Sequence, residues 1–520
     1  MKKNNIITTI HNKVLKISQY DVTALFPLVL ICVSLFFINN FYGTTDIYFI
    51  MSNGKEVLTN GIPYEDWVSI HDGLQLTLQQ WLFGCVMYLL YCISNFDGIY
   101  IFTVLFGIIE GILVYKITMS LTVKNSVIAS ITTILWAAAF VLNRYALPRP
   151  WHISLISVLL VVLISEAYNK NNKHFIWFLP LISIIQSNCH STFWIVTIGV
   201  MCTYYIFNIF DKKISKEYTV TVLISIIFGF INPYEVRGLF EWVIGSGHPL
   251  YAHIAELAPP VNAELATIII LIILIFIALF ITVYKCKHKI QKNKIPIIII
   301  CVGATIGGLV CSRLCLYSIT FLSILFATII TLGIRINVGT RSIIQRKDRN
   351  KYRVLSGCIV GLCILCISIH LPAMPWSKWH TKGEENVNEY ISLIDIKNYL
   401  EQNDSQLETK TFFENEMSTE EYIYFCTGLH PYMDGRYEVY IEKLNKKEDI
   451  AGKLIEISNT NSIEELQEFI DTYKFDYVIS KHANTYFNDL MPDVQGYKAV
   501  FETNNPGQGE NEYTLYKREE

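Results

Sequence analysis

Residues 44–67 read TTDIYFIMSNGKEVLTNGIPYEDW. The stretch follows an apolar run at 22–40 and carries the charges that run lacks. Ile50, Val57 and Leu58 can share one helix face, and Asn60-Gly61-Ile62-Pro63 then breaks the helix. Asp46 and Asp66 flank this amphipathic segment just beyond a span-length run, at a water–lipid boundary. A carboxylate partly desolvated there can act as general base on an acceptor hydroxyl. The plainer alternative is a solvated loop acid.

Outward from this stretch, the chain of 520 residues is 52% hydrophobic and only 17% charged, with a mean hydropathy of +0.35. Soluble domains hold roughly a quarter charged residues, and ~20 apolar residues cross a bilayer core. About twelve runs qualify, near 22–40, 79–94, 98–116, 126–143, 152–167, 175–189, 191–210, 217–232, 264–284, 295–311, 315–334 and 354–371. The expectation is a polytopic α-helical membrane protein of about 11–13 transmembrane helices over 1–372, with the lipid bilayer as its first partner. The basic N-terminus (Lys2, Lys3, Lys13, Lys16) leads into a span without a small-residue cleavage site, so no cleavable signal is expected.

Residues 381–520 hold 29 Asp and Glu against 13 Lys and Arg, a net of −16, while the rest of the chain nets +13. An acidic tail of this kind suits no nucleic acid. The basic clusters 285–294 and 341–353 belong in the cytoplasm, which puts 41–78, 233–263 and the tail outside. An inside start and outside finish need an odd number of spans. The conflict with twelve falls between 41 and 124, where the run 79–94 carries Gln79, Gln80 and Trp81 and suits the interface better than a crossing. The same orientation puts Arg149, His190, Asn232 and Arg313 near the outer side. From 381 the composition becomes that of a soluble extracytoplasmic domain able to fold alone. NVNEYISLIDIKNYLEQN and SIEELQEFIDTY have helical spacing, and TKTFFE, FDYVIS, KAVFET and EYTLYK are β-rich. This alternation predicts a small α/β domain with a largely parallel sheet. Ser462 with Glu465 has capping-box spacing.

Several charged residues stand where charge is costly. Arg313 opens an apolar run, and such residues face a cavity or a partner; a guanidinium also matches phosphate, although a snorkelling anchor is the alternative. Arg149 stands beside Pro150 in a turn between spans, His190 lies between two apolar runs, and Glu256 sits in a loop stopped by Pro259-Pro260. For His190 the plain alternative is a hydrogen-bonded structural histidine, and Glu256 is a candidate second acid or acceptor-binding residue. The 13 cysteines lie almost entirely in apolar runs, with neither disulfide nor zinc spacing. MDGRYEVY in the tail reads as a structural turn in which Arg436 pairs locally.

DIYFIMSNGKEVLTNGIPYEDWVS, followed by LQQWL, resembles the first outer loop of GT-C type membrane glycosyltransferases. The resemblance is to a bacterial family related to protein O-mannosyltransferases and lipid A aminoarabinose transferases. It continues in order through LPRPWHIS (147–154), QSNCHSTF (186–193), NPYEVR (232–237), IAELAPP (254–260), SRLCLYSI (312–319) and YMDGRYEVY (432–440). It implies a polyprenyl-phosphate sugar donor, with Asp46 at the catalytic-base position. Asp66, Arg149, His190, Glu256 and Arg313 then become the candidate substrate-binding residues. Ile50 replaces a histidine of the family pattern and Gln79-Gln80 replaces His-Glu. Those departures remove ligands for a divalent metal, so no cofactor is assigned and a metal keeps only weak support.

The expected function is transfer of a sugar from a polyprenyl-phosphate donor to an extracytoplasmic acceptor of unknown identity. The alternative is a non-catalytic GT-C-like scaffold of envelope assembly, favoured by Ile50 and Gln79-Gln80. A transporter is disfavoured by the few charges in the spans and the lack of a two-fold repeat.

Overall fold

The computed structural model describes residues 25–39, 46–122, 126–245, 247–280, 292–335, 388–415, 420–483, 485–504 and 512–519. The expected span at 354–371 and the basic loop 341–353 lie outside these residues, as does most of the basic loop 285–294. Twelve helices precede the C-terminal unit among the described residues, taken as those longer than one turn. They are α1 (Leu25–Asn39), α2 (Asp46–Asn60), α3 (Trp81–Leu121), α4 (Ser126–Leu142), α5 (Trp151–Asn169), α6 (Leu179–Cys189), α7 (Trp194–Phe210), α8 (Lys216–Gly229), α9 (Glu235–Gly245), α10 (Asn262–Phe280), α11 (Ile295–Val310) and α12 (Cys315–Arg335). Five segments are long and apolar enough to cross a bilayer: Trp81–Leu121, Trp151–Asn169, Ser191–Phe210, Ala263–Phe280 and Ser312–Ile329. Shorter apolar helices stand beside them. Along α10, Ile270, Ile273, Phe276, Ile277 and Phe280 point outward and are more than half exposed, a surface suited to hydrocarbon. The chain is a multi-pass membrane protein.

The runs 79–94 and 98–116 form one helix broken by a kink. In α3, Ser94 and Asn95 leave helical geometry, with Asn95 at φ 51°, ψ −144°. The two limbs have different neighbours. Phe83 and Met87 of the first pack with Leu393, Ile396 and Tyr422 of the C-terminal unit. Val104, Leu113, Val114 and Ile117 of the second pack into the main helical core with α1, α4, α5 and α12. The first limb lies tightly on α2, because Gly54 and Gly84 let the two backbones meet. A Cβ on Gly54 would sit 2.1 Å from the Gly84 carbonyl oxygen. The α2 face that is buried is Ile47, Tyr48, Ile50 and Met51, while Leu58 is exposed. Gly61 ends α2 at φ +93°, a conformation that costs other residues strain.

The C-terminal unit contains α13 (Asn388–Asn403), α14 (Glu420–Thr427), α15 (Ile450–Ser458), α16 (Ile463–Tyr473) and α17 (Thr485–Leu490). These pack on a sheet of β1 (Thr411–Glu414), β2 (His430–Pro431), β3 (Tyr477–Lys481), β4 (Tyr497–Glu502) and β5 (Tyr513–Arg518), in the order β2-β1-β3-β5-β4. The four β-rich runs are strands, but the sheet is mixed, not largely parallel. β1 is parallel to β2 and β3, whereas β5 is antiparallel to both β3 and β4. The connection from β4 to β5 is too short for the crossover that a parallel pair needs. Ser462 caps α16 by accepting the Glu465 N–H at 3.2 Å. Glu465 turns instead to the Thr460 hydroxyl at 2.5 Å, so only half of the capping box forms.

The loops after α2, α8 and α9 share a core with the C-terminal unit. Leu74, Leu76, Leu78, Tyr234 and Leu250 belong to one cluster with Phe413, Tyr440, Ile450 and Val478. Backbone and side-chain bonds stitch the same seam: the Ile70 N–H donates to the Pro431 carbonyl at 3.0 Å, and Arg237 donates to the Gln75 side chain and the Leu444 carbonyl, each at 2.7 Å. The tail therefore completes its core with residues 47–106 and 234–250, which qualifies the expectation that 381–520 folds alone.

Candidate active site

An open cavity lies where the helical bundle, residues 46–53, 77–80 and 254–257, and the C-terminal unit meet. Local chemistry fixes each wall. Asp46 opens α2, where the helix dipole favours a carboxylate. Arg149 stands between Pro148 and Pro150 in a turn closed by its own N–H on the Leu147 carbonyl at 2.8 Å. Glu256 occupies the 3₁₀ turn Ala255–Leu257 ahead of the two prolines. Arg313 occupies the turn Ser312–Leu314, which the Ser312 N–H ties to the Ala258 carbonyl at 2.9 Å. Glu264, in the first turn of α10, accepts the Ser312 hydroxyl and the Tyr145 hydroxyl, the latter at 2.7 Å.

These residues join into one chain of charges. Arg149 Nη2 meets Asp46 Oδ2 at 2.7 Å, Arg149 Nη1 meets Glu256 Oε1, and Arg313 Nε meets Glu256 Oε2 at 2.9 Å. The Arg149 guanidinium also lies 5.1 Å over the Trp151 ring. Burial disfavours the Glu256 carboxylate, but Arg149 and Arg313 outweigh it and hold the group down at about 2. Among the described residues Glu256 is the only carboxylate paired with Arg313. Along this chain two guanidiniums alternate with two carboxylates, their side chains 15–36% exposed, and Arg436 and Glu438 line the same cavity.

His190 lines the same cavity. Its Nδ1 is 2.6 Å from Ser154 Oγ, and that oxygen already accepts from Gln186 Nε2 at 2.8 Å. Ser154 thus bridges Gln186 and the His190 ring. Burial, and then Arg313, push the imidazole down to about 3, so His190 is neutral.

Asp66 is not brought to this group. It is fully buried, accepts the Ser69 hydroxyl at 2.5 Å, and meets Arg436 Nη2 at 2.5 Å. Arg436 Nε pairs with Asp434 at 2.8 Å, and its guanidinium lies 4.7 Å over the Trp67 ring. Burial pushes Asp434 up; burial also opposes Asp66, yet Arg436 and Ser69 hold it down. Asp66 stands apart because its acceptors are taken up by a contact between the loop after α2 and the C-terminal unit. The local pairing of Arg436 forms as expected, but it is half of a longer connection.

The cavity has further walls that the sequence reading left out. Tyr437 and Glu438 come from the MDGRYEVY turn, and Asn53 comes from α2. Behind them Glu420 and Glu421 are buried, and burial together with neighbouring carboxylates pushes both well above the usual range. The only available signal was acid density in a segment already set aside as a turn. Ile50, Gln79 and Gln80 line the cavity as well. Among the described residues no three His, Cys, Asp or Glu side chains converge to hold a metal, and Asp46 and Glu256 both engage Arg149. This donor set does not suit a divalent cation, and no step below is routed through one.

No protein-family model matches the chain, and no curated protein matches it. Among solved structures it is similar to the archaeal oligosaccharyltransferase AglB from Archaeoglobus fulgidus, in complex with an inhibitory peptide and a dolichol-phosphate. The two are 10% identical with a TM-score of 0.50, over 94% of this chain and 74% of that one. The likeness establishes the fold: a polytopic, GT-C-like helical membrane domain with a small C-terminal α/β unit.

Proposed function

We propose that the protein is a membrane glycosyltransferase that moves a sugar from a polyprenyl-phosphate donor to an acceptor outside the cytoplasm. The observation that carries the reading is the chain Asp46–Arg149–Glu256–Arg313 across a cavity at the mouth of the helical bundle. Its guanidiniums offer the forked donors that a phosphate takes, and a carboxylate stands at one end. The similar fold captured with a dolichol-phosphate and a peptide supports a lipid phosphate and an acceptor as ligands.

In this reading an acceptor hydroxyl oxygen attacks the anomeric carbon. The bond from that carbon to the phosphate oxygen breaks, and its electron pair leaves on the lipid phosphate. Asp46 takes the hydroxyl proton. Arg313 and Arg149 stabilise the negative charge growing on the phosphate, where fixed donors in a poorly hydrated site act most strongly. The neutral His190 hydrogen-bonds the donor's sugar from the cavity wall. Tyr437 and Glu438 of the C-terminal unit close the acceptor side, and Asp66 holds that unit in place through Arg436.

The second reading is a non-catalytic scaffold of the same fold. Ile50, Gln79 and Gln80 on the cavity wall favour it. Transfer of radiolabelled sugar from polyprenyl-phosphate donors, by wild type and Asp46→Asn, separates the two. Transfer by wild type and its loss in the variant support the enzyme. A wild type inert with every lipid-phosphate sugar leaves the scaffold as the better account.

A further inference from the structure

We infer that Glu110 and His152, a wholly buried pair inside the helical bundle, are positioning residues for Arg149. The inference rests on the proposed phosphate role of that arginine. Glu110 lies on the second limb of α3 and His152 on the first turn of α5. Both side chains are fully inaccessible, and His152 Nδ1 meets Glu110 Oε1 at 2.9 Å. On the other side of the ring, Nε2 is 2.8 Å from the Leu147 carbonyl oxygen. That same oxygen accepts the Arg149 N–H at 2.8 Å.

The chemistry of the contacts sets the proton positions. A carbonyl oxygen only accepts, so Nε2 carries a hydrogen. Glu110 then holds the ring in that state, either as a carboxylate accepting from Nδ1–H or as an acid donating to bare Nδ1. Without such a partner the imidazole can move its hydrogen to Nδ1 and lose the Leu147 contact. The ring is also confined between Phe106, stacked at 17° with centroids 5.8 Å apart, and Phe140 at 6.0 Å. Trp151 adds a parallel tie, its indole N–H donating to the Tyr145 carbonyl at 3.1 Å. The segment 145–150 that presents Arg149 is therefore pinned from inside the bundle at two carbonyls.

Stability alone is a weak account of this pair. An ionisable pair in hydrocarbon is costly, and apolar residues of the same volume often serve a core as well or better. A directed hydrogen bond to the Leu147 carbonyl is what apolar residues cannot supply. Glu110 Oε2 has no hydrogen-bond partner among the described residues, so His152 is the polar contact that explains the carboxyl.

The test is equilibrium binding of a polyprenyl phosphate to the purified full-length chain in lipid nanodiscs, with thermal unfolding as the folding control. Arg149→Ala is the reference loss. His152→Phe and Glu110→Leu should each weaken binding about tenfold or more, since misplacing a positioned group by about 1 Å costs up to ~100-fold. Glu110→Gln should stay within about threefold of wild type. The Gln amide donates to Nδ1 and keeps Nε2–H on Leu147, a rescue that a merely space-filling role would not distinguish from Glu110→Leu. Combined with Arg149→Ala, His152→Phe should add no further loss. If His152→Phe fails to fold, the Glu110→Leu and Glu110→Gln pair carries the same comparison. Wild-type binding by His152→Phe and Glu110→Leu while Arg149→Ala loses it overturns the positioning role alone, as does full additivity with Arg149→Ala. Wild-type binding by Arg149→Ala overturns the phosphate reading and the inference with it.

Discussion

Two acid–arginine clusters of nearly the same composition have opposite situations in this molecule. In the cavity, Asp46, Arg149, Glu256 and Arg313 are 28, 15, 35 and 36% exposed and form an open chain. Beside it, Asp66, Asp434 and Arg436 are 0, 3 and 5% exposed and close on one another, with Trp67 covering the guanidinium, although Arg436 also borders the cavity. A charge cluster with an accessible face can exchange its internal partners for a ligand's oxygens. A cluster sealed from water cannot, because opening it would strand a buried charge. Exposure toward a cavity, and not residue type, separates the candidate chemistry from the candidate latch.

The comparison can be broken first at Asp46. Asp46→Asn keeps size and some hydrogen bonding but accepts no proton, and transfer should fall about 10²–10⁴-fold while thermal unfolding stays near wild type. A variant of full activity would remove Asp46 as the base and leave Glu256 as the next candidate. The latch should respond in the opposite way. Arg436→Met leaves Asp66 and Asp434 facing each other in a dry seam and should cost about 3–5 kcal/mol of stability, read from denaturant unfolding. A loss confined to activity would mean that Arg436 serves the cavity it borders and not the latch. Asp66→Asn should affect transfer less than Asp46→Asn does.

Smaller effects sharpen the same contrast. Arg313→Lys keeps the charge but loses the forked geometry. It should raise the donor KM about tenfold, the scale of one lost charge-assisted hydrogen bond, with kcat changed less. Glu256 supplies the weakest and most specific test, through pH. Its folded carboxyl is depressed from 4.5 to about 2. The stabilisation is therefore complete above about 4.5 and is lost as pH falls through about 2. The difference in unfolding temperature between wild type and Glu256→Gln should be constant between neutral pH and 5 and shrink below that. A difference that grows on acidification would contradict the pairing.

Much of the fold was legible because its signals are local. Apolar runs, the break at Gly61 and Pro63, the β-rich segments of the tail and the proline-bounded turns at Arg149 and Glu256 depend on neighbours a few residues away. The runs 79–94 and 98–116 read as separate segments, whereas they form one continuous helix with a kink at Ser94 and Asn95. The mixed sheet was missed because alternation of helix and strand records order and not direction. Five of the six candidate residues, Asp46, Arg149, His190, Glu256 and Arg313, line one cavity. Asp66 resembled Asp46 in its loop setting, yet its arginine lies 370 residues onward.

The sequence by itself determined the membrane helices, the acidic α/β tail and the positions where charge meets an apolar run, since hydropathy and turn chemistry act over one or two helical turns. Only the tertiary structure decided which carboxylate meets which arginine. Arg149 and Glu256 are 107 residues apart and Arg313 and Glu256 are 57 apart, and ion-pair energies depend on spatial distance and burial, not on separation along the chain. The Gly54–Gly84 approach and the packing of Leu74, Leu76 and Leu78 with Phe413 and Val478 set those distances. One set of charges stays open to the cavity, and the other closes on itself at the cavity's edge.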